Sequence, residues 1–316
     1  MKCILHIGQQ KTGSTFLQYR LSQTRSHLAE QGYLYPSSLG NQKQNKFLTE
    51  HDKLRDSSSE VYKEFENEIA QSGLSNIICS EENLFSIPKE KITTVHAFLK
   101  NFFDEFEIVV YLRRQDDHFL SIYQQNVRGK TTESINEILS NGAYAEKYSY
   151  NKILENWSGV FQNAKIKIRP YGQLKNNDII EDFYDLMKIE KGDFTPEDNY
   201  AITNKSFDAE SIELIRYFNI LEKEGKLILP HQTKRKLRIF LKNKERTNKF
   251  SLSINDKLKI WKIFLVENKK FCAKYLDDNQ STYFLNEPSE KNTQPLYNHH
   301  IQSDHLYELY FDIFES

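Results

Sequence analysis

Apolar and polar residues alternate between two periods along this chain, and the first thirty positions show both. Cys3, Ile4, Leu5 and Ile7 form the apolar run of a strand buried on both faces. A short polar loop framed by Gly8 and Gly13 follows. Leu17, Leu21, Thr24 and Leu28 then recur at spacings of four, three and four. That spacing predicts a helix with the stripe turned inward and with Gln18, Arg25 and Glu30 in water.

The alternation continues downstream. Residues 32–36 read as a short extended piece and 37–56 as a polar loop over the functional face. Val61, Phe65 and Ile69 mark a helix over 57–72 that stops at Gly73, and residues 76–80 have the pattern of a buried strand. A helix over 88–103 turns Val95, Phe98, Leu99 and Phe102 inward, and Ile108 to Leu112 is the strongest strand in the chain. Asp116 caps the next helix, in which Phe119, Ile122, Tyr123 and Asn126 recur at three and four. A helix over 150–161, an alternating strand over 165–171 and a helix over 178–189 complete the series. This order predicts an α/β domain with a mostly parallel central sheet of about five strands wrapped by helices. The core should span 1–192, with 193–316 a helical C-terminal extension packed on the same domain. In that extension Leu214, Phe218 and Leu221 mark one helix, and Leu258, Trp261 and Leu265 another. Residues 277–304 read as a loop, closed by 307–311 packing back on the domain.

Composition narrows the classes. A chain of 316 residues, 38% hydrophobic and 28% charged, can bury a sizeable core. Its 43 basic and 44 acidic residues leave a net charge of −1, so no nucleic-acid partner is implied. Three cysteines, Cys3, Cys79 and Cys272, imply no disulfide framework. Met1-Lys2 leads into the first strand without a signal peptide, and no stretch approaches the ~18 apolar residues of a membrane span. A cytoplasmic protein is expected. His299, His300 and His305 lack an accompanying Cys or acidic pattern, so no metal site is expected. The basic amphipathic run 234–246 reads as a solvated helix face, with contact to an acidic polymer or a membrane surface as the alternative.

The candidate chemistry lies at strand ends. The loop from Gly8 to Gly13 aims backbone N–H groups and a helix N-terminus at one spot, and Lys11 adds a full charge. A phosphate or phosphate-like ester belongs there. A Walker A loop has its lysine after the second glycine, whereas Lys11 precedes Gly13. The central strand ends in Arg113-Arg114, where a nucleotide hydrolase would place an Asp to hold Mg²⁺. Exchanging acid for base replaces metal binding by direct anion binding. The strand over 76–80 ends in Glu81-Glu82-Asn83, where ligands sit in open parallel sheets. The two carboxylates are equally consistent with a role as dipole partners at a helix start.

Lys11-Thr12-Gly13-Ser14-Thr15 resembles the 5′-phosphosulfate loop, K-[TS]-G-[ST]-T, of the bacterial sulfotransferases, which use 3′-phosphoadenosine 5′-phosphosulfate (PAPS). Arg113 and Ser121, eight residues apart, resemble the family's 3′-phosphate site. Gln115 departs from the pattern, because many relatives have a small polar residue followed by Pro. Pro170-Tyr171 ahead of Phe183-Tyr184-Asp185-Leu186-Met187 is also similar, as is Asn204-Lys205-Ser206-Phe207 before a long helix. The resemblance covers about two thirds of the chain and is strongest at the two phosphate motifs.

It implies PAPS held by Lys11, Thr12, Gly13, Ser14, Thr15, Arg113 and Ser121, and sulfuryl transfer to a hydroxyl-bearing acceptor without a metal. Lys11 would act on charge developing on the departing 5′-phosphate. The Ser14 and Thr15 side chains and the Gly13 amide would hold the non-bridging oxygens. The candidate bases are Glu82 first, Glu81 second and His6 third. A carboxylate base is usual in carbohydrate sulfotransferases and a histidine in those acting on phenols and small alcohols, so the acceptor expected is a saccharide. Tyr144, Tyr148 and Tyr150 fit either an aromatic-lined cleft for sugar rings or ordinary core. Two other classes compete with this reading: a P-loop kinase or NTPase with an atypical loop, and a non-catalytic binder of phosphorylated partners.

Overall fold

The computed structural model describes residues 1–192, 207–243 and 250–289. Five strands form one sheet: β1 (Lys2–His6), β2 (Tyr33–Leu34), β3 (Asn76–Ser80), β4 (Glu105–Leu112) and β5 (Lys165–Pro170). Their order is β2-β3-β1-β4-β5, and every pairing is parallel. In register His6 lies between Ser80 and Val109, so β1 is central and the strand ends it shares with β3 and β4 open on one edge. The chain builds β3 on one side of β1 and β4 on the other. In open parallel sheets such a reversal marks the carboxyl ends of the strands as the place where ligands sit.

The helices are α1 (Ser14–Gln23), α2 (Arg25–Glu30), α3 (Lys46–Thr49), α4 (Glu60–Ser72), α5 (Lys89–Leu99), α6 (Gln115–Arg128), α7 (Ile135–Ser140), α8 (Ala143–Lys147), α9 (Tyr150–Val160) and α10 (Ile179–Met187). Beyond them lie α11 (Ala209–Lys223), α12 (His231–Asn243), α13 (Ile254–Tyr275) and α14 (Asp278–Leu285). The architecture is thus an all-parallel α/β sheet with flanking helices and a helical C-terminal region. The described residues form two compact units. The first comprises 1–114, 147–192 and 264–286, and the second 115–146, 207–243, 250–263 and 287–289. Compactness therefore does not divide the chain by a single break after 192. Residues 115–146 leave the first unit and 264–286 return to it.

In the first unit, Ile4, Ile78, Val109 and Tyr111 pack one sheet face on Leu17 and Leu21 of α1 and on Phe183, Tyr184 and Met187 of α10. Strand alternation sends Ile77, Cys79, Ile108 and Val110 to the other face, where they are equally buried. Glu107, buried on β4, pairs with Lys2 at 2.8 Å and Lys167 at 2.5 Å and so ties β1 to β5. The phenol of Tyr111 donates to Asp182 at 2.9 Å, and the Arg169 guanidinium grips the same carboxylate, which fixes α10 on the sheet. In the second unit Tyr123 of α6 donates to Glu213 of α11 at 3.4 Å, and Asn219 of α11 donates to the carbonyls of Val127 and Thr131.

Three local expectations are corrected. The first helix breaks at Thr24, whose hydroxyl bonds the Arg20 carbonyl at 2.9 Å and Tyr184 at 3.0 Å instead of continuing the stripe. Gln18 is buried, because its amide reaches the Ser80 carbonyl at 3.5 Å beneath the end of β3. The segment after Asp277 is helical over Asp278–Leu285; the Asp277 side chain caps it by accepting from the Gln280 amide, and Phe284 is buried. All three thiols are free and buried. Among the described residues no helix is long and apolar enough to cross a membrane, and no cluster of His, Cys, Asp or Glu could hold a metal ion. Asn204, the C-terminal histidines, residues 244–246 of the basic run and the segment 307–311 lie outside the described residues.

Candidate active site

The loop between β1 and α1 is built from left-handed backbone. Gly8, Lys11 and Gly13 have φ of 93°, 67° and 80°. Such alternation turns successive N–H groups inward, and the first-turn amides of a helix lack intrahelical acceptors in any case. A lysine held at positive φ costs about 1 kcal/mol, the kind of strain that collects at functional sites. The loop is braced from inside. Thr12 and Ser14 are buried and both donate to the Gln9 carbonyl, at 2.5 and 3.0 Å. The Thr12 hydroxyl hydrogen is therefore spent on the loop, the Ser14 hydroxyl lies between the Gln9 carbonyl and the Glu82 carboxylate, and Thr15 is exposed at the helix start.

Gln9 laces this loop to the end of β4. Its side-chain oxygen accepts from the Arg113 amide at 3.1 Å, its NH₂ donates to the Tyr150 hydroxyl at 2.9 Å, and that hydroxyl donates to the Arg113 carbonyl at 2.6 Å. The Lys11 loop and the Arg113 backbone are thus one construction. The Arg113 guanidinium stands 5.8 Å over the ring of Tyr171, which follows β5 and also lies beside Gly13. The Arg114 amide donates to the Tyr283 hydroxyl at 3.1 Å, so α14 supports the same strand end.

The carboxylates enter from β3. The backbone of Glu82 lies against Gly8: a Cβ added there would sit 2.6 Å from the Glu82 carbonyl oxygen. Only glycine permits that approach. Burial pushes the half-buried Glu82 carboxyl above its usual range and neighbouring Glu81 adds to the rise, whereas Lys43, Lys11 and the Ser14 hydroxyl pull it down. Lys43 comes from the segment that leads into α3, where the sequence predicts only loop over 37–56. That segment is pinned to the end of β3 by Gln44, whose amide N–H donates to the Ser80 carbonyl at 3.1 Å and whose side chain accepts from the Ser80 N–H at 2.7 Å. Glu81 is fully buried. One oxygen accepts from the backbone and side chain of Asn83, and the other meets no donor among the described residues.

His6 is also fully buried. Its Nδ1 bonds the Ser80 hydroxyl at 2.7 Å, its ring meets Tyr111 and Phe183 edge-on, and burial pushes its pKa down to about 3. It is a neutral interior imidazole. The first unit therefore gathers Lys11, Thr12, Gly13, Ser14, Thr15, Glu82 and Arg113 along the open edge of β3, β1 and β4, with Glu81 and His6 turned into the protein behind them. Ser121 lies half-buried on α6, in the second unit.

The chain matches no protein-family profile, no curated protein and no solved structure.

Tyr144, Tyr148 and Tyr150 are all buried, which removes them as the lining of an open cleft. Tyr150 instead packs on Phe85 and Phe271 while bracing Gln9. The sequence reading overlooked Gln9 and Tyr283, and it named Tyr150 and Tyr171 without their part in holding the site together. Tyr171 carried a signal as the Pro-Tyr step closing β5, and Tyr150 as one of three tyrosines read as cleft or core; Gln9 and Tyr283 carried none.

Proposed function

We propose that the first unit belongs to a sulfotransferase that moves the sulfuryl group of PAPS to a hydroxyl on a carbohydrate or glycoconjugate. One observation carries this reading: a lysine-bearing loop and an arginine, not a loop and an acid, close the adjacent strands β1 and β4, and a carboxylate closes β3 beside them. The residues present suit an anionic group, because three left-handed positions, a helix start and a lysine converge without a carboxylate poised for Mg²⁺ at the end of β4. PAPS, when bound, supplies a sulfuryl group on a good leaving group and a 3′-phosphate that ATP lacks.

The chain's own residues then divide the work. Lys11 places a cation where negative charge develops, which favours the transition state over the ground state. Thr12 and Ser14 keep the loop in shape through Gln9, and the backbone amides of the loop and of the helix start meet oxygens. Arg113 offers a charge-assisted contact to a phosphate, and its guanidinium lies within cation–π range of the Tyr171 ring. Glu82 accepts the acceptor's proton at its carboxylate, and the rise in its pKa makes it a better base at neutral pH. Buried His6 has no such access, which favours a carboxylate base and hence a saccharide over a phenol.

The test is ligand-dependent stabilisation. Adenosine 3′,5′-bisphosphate should raise Tm and ATP with Mg²⁺ should not. Arg113→Ala should weaken bisphosphate binding by about 1.5–3 kcal/mol. Stabilisation by ATP with Mg²⁺ alone would favour a kinase or NTPase instead. Labelled PAPS offered to saccharide and phenol panels should label the saccharides.

A further inference from the structure

We propose that the outer face of α12 docks on an anionic lipid surface. The argument is independent of sulfuryl transfer and concerns the second unit alone. Within His231–Asn243 five residues are Lys or Arg (234, 235, 236, 238 and 242) and none is acidic, although the whole chain carries a net charge of −1. The inner face of the helix is accounted for. Leu237 and Leu241, one turn apart, are buried; Lys234 pairs with Glu222 of α11 at 2.6 Å, and Arg238 donates to the Arg128 carbonyl of α6. These contacts set the rotation of the helix and leave the opposite side facing water.

That opposite side is not simply polar. Ile239 is 50% exposed and Phe240 40% exposed, and each lies four residues after an exposed cation, Arg235 and Lys236. Residues four apart stack on one helix face, so two rows run side by side, each with a cation in one turn and a large apolar side chain in the next. Ile228, in the loop entering the helix, is 86% exposed. Charge alone would suit any polyanion. Phosphodiester or sulfated polymers, however, offer nothing to a protruding isoleucine. A bilayer interface takes both kinds of group: the apolar side chains enter the acyl boundary, and the long basic side chains reach phosphates around them. No helix among the described residues can cross a membrane, so the contact is interfacial.

The experiment is co-sedimentation of the full chain with vesicles. Vesicles of phosphatidylcholine and phosphatidylglycerol in equal parts should bind it and phosphatidylcholine alone should not, with binding falling as salt rises. Arg235→Glu with Lys236→Glu should lower the partition coefficient more than about tenfold, and Lys236→Gln alone by about fivefold. Ile239→Ser with Phe240→Ser should also lower it by about tenfold. Circular dichroism keeps the comparison to folded variants, and Lys236→Gln, a surface change, remains decisive if a double variant unfolds. Equal binding to both vesicle types, or none to either, would overturn the proposal. So would retention on heparin without vesicle binding, which would assign this face to a polymer. Bisphosphate binding should be the same in every variant, so failure here would not bear on sulfuryl transfer.

Discussion

Acidification should destabilise the first unit through His6, and the size of the effect follows from its burial. Burial pushes the imidazole from its ordinary 6.5 in the unfolded chain down to about 3 in the fold, because no solvent reaches it to stabilise the charged form. A folded pKa below the unfolded one means that the unfolded chain binds the extra proton, so stability rises with pH through this window. The contribution is complete above the unfolded pKa and is lost progressively as pH falls from about 6.5 towards 3. Between about pH 7 and pH 5 it amounts to roughly 2 kcal/mol, since each unit below the unfolded pKa costs about 1.4 kcal/mol. The assay is urea unfolding at steps across that range, comparing wild type with His6→Gln. Carboxylates whose pKa is depressed, such as Glu68 and Glu107, stay ionised there in both proteins. His96 is common to both, so the difference in slope isolates His6. Parallel slopes would mean that the imidazole is solvated or charged in the fold, and would return it to the list of candidate bases.

Three further outcomes are expected. Lys11→Ala should lose most turnover while bisphosphate affinity stays within about tenfold, because the lysine acts on charge that develops in the transition state; equal losses in calorimetry and kinetics would make it only an anchor. Glu82→Gln should lower the rate by about 10²–10⁴ with cofactor affinity intact. In the wild type the rate should rise with pH through a pKa above the usual carboxylate range, as burial of Glu82 requires; a flat profile, or loss only in Glu81→Gln, would move the role. Gly8→Ala should destabilise by roughly 2–4 kcal/mol in chemical unfolding, from a positive φ and a Cβ driven into the Glu82 backbone; a neutral substitution would contradict the close approach of β1 and β3.

The strands and helices of the first unit were legible because each buries a face on its own period. Asn76–Ser80 and the α4 stripe of Val61, Phe65 and Ile69 occur where the pattern puts them. The phosphate-type loop was legible for a related reason: Gly8, Lys11 and Gly13 are a backbone device whose residues lie close together in sequence. What only the tertiary structure decided depends on residues far apart in sequence. Whether Gln18 is wet or buried depends on the Ser80 carbonyl, 62 residues away. Whether Tyr150 lines a cleft or braces a loop depends on Gln9, 141 residues away. Glu81 and Glu82 are indistinguishable in composition, yet one is buried onto Asn83 and the other is half-buried and feels the charges of Lys43 and Lys11, one from the segment before α3 and one from the β1–α1 loop. Periodicity records how much of each element meets the core; it carries no record of which polar partner waits there, since hydrogen bonds and charge pairs are chosen by approach in space.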